Sequence, residues 1–518
     1  MHKRAILILA MGSVITLAGC ATDSEKLAPA QPNKPWKPQT DAAGRILPGE
    51  PRSDAAGPDR SFTLPKDASS LDLHVGPEID PRHRYSLIEL IDLAESNNPL
   101  TSVAWNTARE VALAAGIARS AYLPRLTAAA VGGHQTYQVH LSGPAFGGST
   151  SQGDGVITSL SFNWLLFDFG QRDAHVEAAD QATVVANIGF TAAHQELIHA
   201  VTLAFYAHSA AQARADLAEQ SYQNALRVQD IAAARLRQGV GTAIESSKAE
   251  QATAQAKLNG VQARGAAKNT AQALLAAIGI SPLSHLTIED VTTRKLDITL
   301  TTSVEQILSE ALSRRPDILS AYAEEKAAKA MSEAAEADFL PKVFLSGTGA
   351  YSSGGLYLSQ IPAIGNQTSI GNFGSSGLGA TVFGGIALSL YDGGTKEAVL
   401  GQARAKAEKA SLNLTQKRNL AVKEIVTAQN TLETGIAMYD AAAKMVKASE
   451  LTFDGALTGY QSGAGSITEV LLTEMQLLQA KVAMTEAHSA TLSAAASLAL
   501  ATGSMDAIAE PPRTPGGR

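Results

Sequence analysis

The sequence predicts a mainly α-helical protein that also carries a membrane β-barrel. Each half of the chain contributes one very long α-hairpin and two of the chain's four β-strands. Three observations carry this reading. The 20 prolines are clustered: ten fall between Pro29 and Pro81, three between Pro511 and Pro515, and none within 145–281 or 363–510. Proline-free tracts of that length permit uninterrupted helices, and two of them in one chain suggest a duplication. Leu160, Phe162, Trp164 and Leu166 alternate with smaller or more polar residues in a strand's period of two.

Composition narrows the function. The chain has 518 residues, a formal charge of −7 and 5% aromatic residues. Mild acidity without a Lys/Arg run argues against a nucleic-acid partner, because phosphate binding needs clustered cations. A single cysteine, Cys20, excludes an intrachain disulfide and a cysteine zinc cage.

Residues 1–19 read as a secretory signal: Lys3 and Arg4, an apolar run from Ala5 to Leu17, then small residues. Leu17-Ala18-Gly19-Cys20 resembles a bacterial lipobox, which predicts cleavage before Cys20 and lipidation of its thiol. Ala21 fits sorting to the outer membrane. Residues 20–83 are rich in Pro, Gly, Asp and Ser, as expected of a lipidated, extended linker. No later segment is apolar enough for a membrane helix, so any crossing must be made by β-strands.

The first repeat spans 84–282, the second 300–505, and a short tail covers 506–518. Asn98-Pro99 answers Arg315-Pro316, and Tyr122-Leu123-Pro124 answers Phe339-Leu340-Pro341 at the same offset. Leu166-Phe167-Asp168-Phe169-Gly170 answers Leu390-Tyr391-Asp392-Gly393-Gly394, and Gln238-Gly239 answers Ser462-Gly463, at a slightly larger one. The offset changes once, within the Gly/Ser-rich stretches 132–155 and 347–379, which marks these as loops.

Within each repeat a short helix (about 86–97 and 303–314) stops before a proline suited to the first turn of the next helix, Pro99–Tyr122 or Pro316–Phe339. Leu-Pro ends that helix, since the residue before proline is forced to extended geometry. A strand, the glycine-rich loop and a second strand follow. In repeat two the apolar face of that second strand reads Gly384, Ile386, Leu388 and Leu390. From Asp168 the chain turns helical to about Gln238, ~105 Å at 1.5 Å per residue, and a return helix of ~54 Å runs to about Ala277. Repeat two gives the same arithmetic over Gly394–Gln461 and Ser466–Ala501. Helices this long, faced mainly with Ala, find no core inside one chain and must pack on others. Four strands cannot close a membrane barrel either, so closure needs two chains with eight strands or three with twelve.

This plan resembles the TolC-like outer-membrane efflux protein family, of the OprM/NodT lipoprotein type that serves resistance-nodulation-division pumps. Arg314-Arg315-Pro316-Asp317-Ile318 is similar to the RRPDI signature, Leu390-Tyr391-Asp392-Gly393-Gly394 to the strand-to-helix turn, and Gly459-Tyr460-Gln461-Ser462-Gly463 to the helical-tip turn. Repeat one has Asn98-Pro99 in place of the Arg-Arg pair. The resemblance implies a homotrimer with a 12-stranded outer-membrane barrel and an α-helical tunnel in the periplasm. It implies an exit duct that passively exports small molecules, partnered by a periplasmic adaptor and an inner-membrane pump. A duct for type I protein or peptide secretion is the alternative within transport, and a poreless periplasmic coiled-coil lipoprotein is the alternative outside it.

No catalytic constellation, cofactor motif or metal set emerges, so an enzyme is not expected. His194 and His199 stand at i and i+5, about 140° off one helical face, whereas zinc needs i and i+4. Asp168 and Asp392 stand where long helices begin and are expected to cap them. Glu245 and Glu469 sit just past the two tip breaks. The resemblance implies that Glu469 rings the periplasmic pore constriction and that Tyr460 helps to hold it closed; Glu245, at the equivalent place past the first break, is a candidate to join that ring. The family's second acid at that entrance is Leu472 here.

Overall fold

The computed structural model describes residues 39–40, 46–47, 79–139, 149–292, 296, 304–354, 358–361, 370–373 and 377–505. Cys20, the signal at 1–19, most of the linker and the tail at 506–518 lie outside the described residues. The chain divides into two units, 1–75 and 76–518. In the first, β1 (Gln39–Thr40) pairs antiparallel with β2 (Ile46–Leu47). In the second, Ile79 already packs against the core, ahead of residue 84.

Helix α1 (Leu87–Asn97) opens with a reciprocal cap: Glu89 N–H donates to Ser86 Oγ and Ser86 N–H to Glu89 Oε2. Its Leu90, Ile91 and Ala94 meet Leu197, Ile198, Val201 and Phe205 of the first long helix, α3 (Gln171–Arg237), in the largest core cluster. Between them, α2 (Pro99–Arg119) places Pro99 in its first turn, and a short 3₁₀ turn at Ser120–Tyr122 leads to the strands. The 67 residues of α3 give ~100 Å of helix. The return helix α4 (Ala243–Ile278) ends where α2 begins, and Asn98 Nδ2 donates to Ala277 O across that joint at 2.9 Å.

Repeat two follows suit with α5 (Val304–Arg314), α6 (Pro316–Ala337), α7 (Thr395–Ser462) and α8 (Ile467–Ala501). Here Arg315 makes the joint: its Nη1 donates to Ala501 O at 2.9 Å, and its other donors hold Asp317 and Glu424. The Arg of the RRPDI segment thus ties three helices together. Helix α3 is flanked by α2 and α4 and by α6 and α8, and α7 packs on α6 and α8. The result is a layer one helix thick, whose outer members expose apolar side chains: Leu113 and Ile117 on α2, Leu258 and Val261 on α4, Leu412 and Leu451 on α7. Small residues set its spacing: a Cβ on Gly435 of α7 would stand 2.9 Å from Thr491 Oγ1 of α8.

Four strands form one antiparallel sheet in the order β10 (Gly377–Ala387), β7 (Lys342–Gly354), β5 (Ser149–Phe167), β4 (Arg125–Val139). Among the described residues, neither β10 nor β4 has a partner on its outer edge. Minor pairs add β3 (Arg84–Tyr85) with β6 (Thr287–Ile288) and β8 (Leu358–Ile361) with β9 (Ile370–Phe373).

The structure departs from the expected elements in three places. The glycine-rich stretches are not simply loops: β4 runs on to Val139 and β7 to Gly354, because pairs such as Gly133 with Gly155 still supply ladder hydrogen bonds. The apolar run of β10 stops at Ala387, short of Leu388 and Leu390, because its ladder partner β7 starts at Lys342. The long helices begin at Gln171 and Thr395, with left-handed Gly170 and Gly394 in the cap positions expected for Asp168 and Asp392.

The two aspartates still bind the helix starts. Asp392 accepts the N–H groups of Gly394, Thr395 and Lys396 at 3.1, 3.1 and 3.0 Å. Buried Asp168 accepts Arg172 N–H at 3.0 Å and its Nε at 2.9 Å. Arg172 then fans out to the carbonyls of Ala121, Leu165 and Leu166, joining sheet to helix layer. Removing one partner of a buried charge pair commonly costs ~3–5 kcal/mol. Asp168→Ala is therefore expected to lower the melting temperature of detergent-purified protein clearly, read by circular dichroism, whereas Asp180→Ala, which breaks only the more exposed pair with Arg119, should shift it little.

Candidate functional site: hairpin tip and two-faced sheet

The two tip turns are built alike. Gly239 and Gly463 adopt left-handed φ of 74° and 83°, which glycine reaches without penalty. The next two N–H groups then fold back on one carbonyl, Arg235 O in the first turn and Gly459 O in the second. Thr242 and Ser466 cap the return helices, accepting the N–H of Glu245 at 3.2 Å and of Glu469 at 3.2 Å.

The candidate residues part company here. Glu245 is half-buried, and its carboxylate returns to Thr242 N–H at 2.9 Å, completing a capping box. Glu469 is exposed, and its carboxylate has no partner among the described residues. Tyr460 is fully buried at the seam between the hairpins, with Val228 and Ala232 on one side and Ile467 and Val470 on the other. Burial raises its phenol pKa, with Glu245 adding to the shift and Arg235 opposing it. The structure thus gathers Glu245, Tyr460 and Arg235 and leaves Glu469 apart.

Sequence reasoning missed Arg235. Its guanidinium lies 5.0 Å from the Tyr460 ring centroid, and its Nη1 donates to Tyr460 O at 3.2 Å. The only available signal was a repeat mismatch, since Arg235 aligns with Gly459. Also missed was Glu474 of α8, whose carboxyl receives Ser221 Oγ–H of α3 at 2.5 Å; burial at the seam raises its pKa. His194 and His199 do diverge, the first reaching Glu95 of α1 and the second Ser497 of α8.

The register of the sheet sorts its side chains into rows. On one face run Leu126, Phe162, Gly347 and Val382, then Ala128, Leu160, Gly349 and Ala380, then Ala130, Thr158, Tyr351 and Leu378. On the other run Thr127, Ser161, Thr348 and Thr381, flanked by Ala129, Ser159, Ala350 and Gly379. Exposure is the reverse of a water-soluble sheet: Leu126 is 69%, Leu160 57% and Val382 66% exposed, whereas Ser159 and Ser161 are 6% exposed. The apolar stretch of β5 from Val156 to Leu166 has the length that a tilted strand needs to cross a bilayer, about ten residues. Trp164 near its C-terminal end donates Nε1–H to Tyr122 O at 2.8 Å. Among the described residues, no helix is long and apolar enough to cross a membrane.

The sequence profile of the outer membrane efflux protein family matches residues 90–280 and 307–504, one segment per repeat. The chain belongs to that family. Its relatives include protein CyaE of Bordetella pertussis strain Tohama I, 24% identical over 410 residues, which cover 78% of this chain and 81% of CyaE. Outer membrane efflux protein BepC of Brucella suis biovar 1 is 25% identical over 399 residues, 76% of this chain and 79% of BepC. The fold matches the crystal structure of VceC from Vibrio cholerae with a TM-score of 0.66 and 22% identity, covering 80% of this chain and 96% of VceC. An outer membrane efflux protein is a channel and not an enzyme, and efflux across the outer membrane is what members of the family do.

Proposed function

We propose that three copies of this outer membrane efflux protein close a 12-stranded barrel in the outer membrane, continued into the periplasm by a tunnel of their long hairpins. The assembly acts as a passive exit duct for small molecules in a tripartite efflux system. An inner-membrane pump supplies energy and a periplasmic adaptor makes the connection.

One observation carries this: a four-stranded sheet with an apolar face, a hydroxyl-bearing face and, among the described residues, two unpaired edges. In hydrocarbon, each unpaired backbone group costs several kcal/mol, so β4 must find another strand. The edge available is β10 of a second copy, a head-to-tail contact that closes into a ring. Eight strands would leave a core filled by side chains, whereas twelve leave a passage. The single helix layer, with apolar side chains exposed on α2, α4 and α7, calls for the same closure. At the tunnel's far end, copies of Glu469, joined by Glu245, would ring the periplasmic constriction, with Tyr460 clamped beneath Arg235 to hold it narrow. Purified protein in planar bilayers should conduct ions in discrete steps. An absence of steps from protein shown to be inserted would favour the poreless coiled-coil alternative.

We also place the mature N-terminus at lipidated Cys20, after removal of residues 1–19, with 20–83 as tether, repeats at 84–282 and 300–505, and a tail at 506–518. Two or three acyl chains, each contributing ~0.8 kcal/mol per buried CH₂, anchor stably. Cys20→Ser should leave an uncleaved or unacylated precursor whose barrel still assembles, because the four-stranded sheet and the helices described above are built from residues 87–501. An unmodified Cys20 in the mature wild-type chain, found by mass spectrometry, would rule the anchor out.

A further inference from the structure

We propose that Arg125 makes one level of the channel attract anions: three copies form a cationic collar where the barrel lumen opens into the helical tunnel. This rests on the trimeric barrel reading. Arg125 is the first residue of β4 and stands directly opposite Asn163, in a row with Ser346 and Phe383. That row belongs to the hydroxyl-bearing face, next to Thr127, Ser161, Thr348 and Thr381, so strand alternation turns Arg125 away from the lipid side, where Leu126 points.

The charge is uncompensated. Among the described residues of that face, the charged groups are Arg125 and Lys342. Lys342 Nζ is bound to Asp338 Oδ1 at 2.6 Å, while exposed Arg125 has no ion pair among the described residues. The nearby acids are committed elsewhere: Asp338 also receives Gln171 Nε2 at 2.9 Å, and Asp168 is held by Arg172. The paired rows from Thr127 towards Val139 on that face carry hydroxyl, small and apolar side chains, Val131 and Ile157 among them, but no carboxylate.

Closure of the barrel brings three such arginines to one level of one lumen. A ring of fixed cations raises the local concentration of anions, as charged rings do in other pores. The ligand class is an anionic group: a free small anion, or a carboxylate or phosphate carried by cargo. The proposed acidic ring of Glu469 lies at the opposite end of the tunnel, so cargo would meet two filters of opposite sign in series.

The test is the reversal potential of single trimers in a KCl gradient, with Glu469→Gln throughout to weaken the tip's own contribution to selectivity. At ~0.1 M salt, where the Debye length is about 10 Å, Arg125→Glu should raise the K⁺ to Cl⁻ permeability ratio several-fold. Arg125→Gln should raise it by less, and it carries the test if the charge reversal blocks assembly. Near 1 M, where screening acts within about 3 Å, the difference should collapse. Equal ratios in parent and variants at low salt would overturn the collar while leaving the channel intact. Inserted parent trimers that conduct nothing would overturn the channel reading, and the collar with it.

Discussion

Trimers carrying Glu469→Lys are expected to lose or reverse their cation preference while assembling normally. The turn does not need this carboxylate. Ser466 Oγ caps the helix by accepting Glu469 N–H at 3.2 Å, a backbone donor that lysine keeps. The side chain is exposed, so either charge is solvated there. A cation in the first turn opposes the helix dipole by only ~0.3–1 kcal/mol. Reversing three like charges around a narrow opening acts far more strongly on permeating ions. Glu245 is the poorer site for this experiment, because its carboxylate closes a capping box and its loss mixes selectivity with a cap defect of ~1 kcal/mol. Glu433→Ala is the control: on α7 away from the turn, Glu433 accepts Gln429 Nε2, and its loss should leave selectivity unchanged. Reversal potentials on purified trimers decide the matter, and equal selectivity in wild type and Glu469→Lys would return Glu469 to an ordinary solvated surface.

The second large effect is a contrast between neighbours on β10. Val382 and Thr381 are both exposed and adjacent, yet register puts them on opposite faces, Val382 in the row of Phe162 and Thr381 in the row of Ser161. Val382→Arg would place a charge against hydrocarbon, at ~2–4 kcal/mol near the bilayer midplane and three times over per trimer. Thr381→Arg would place the same charge in a water-filled lumen. We expect Val382→Arg to abolish assembled outer-membrane trimers, seen on semi-native gels of membrane fractions. Thr381→Arg should give normal trimers with altered conductance. Equal tolerance of the two, or equal loss, would contradict the assignment of faces.

Most of the architecture was legible because it rests on strong local signals. Proline-free tracts, Asn98-Pro99 and Arg315-Pro316, and the Gly239 and Gly463 breaks gave the helix order. The period of two at Leu160–Leu166 gave the apolar face of β5. Less legible were features set by partners distant in sequence. Whether glycine-rich chain loops or pairs depends on the opposite strand, so β4 outran its expected end. The clamp of Arg235 on Tyr460 joins residues far apart in the chain, and neither residue type signals it. The division of labour between Glu245 and Glu469 was hidden for a related reason. Both follow a capping residue at the same spacing, and only side-chain geometry shows one carboxylate used and the other free.

The central claim, that β4 of one chain pairs with β10 of the next until three chains close a ring, can be tested by disulfide trapping. In a Cys20→Ser background, one cysteine is fixed at Thr127 on β4 and a second is walked along β10 from Leu378 to Ile386. Oxidation in native membranes should trap neighbouring chains at positions of one face, giving a ladder that ends at three. No cross-link at any position, or a ladder that ends at two or continues past three, would contradict it.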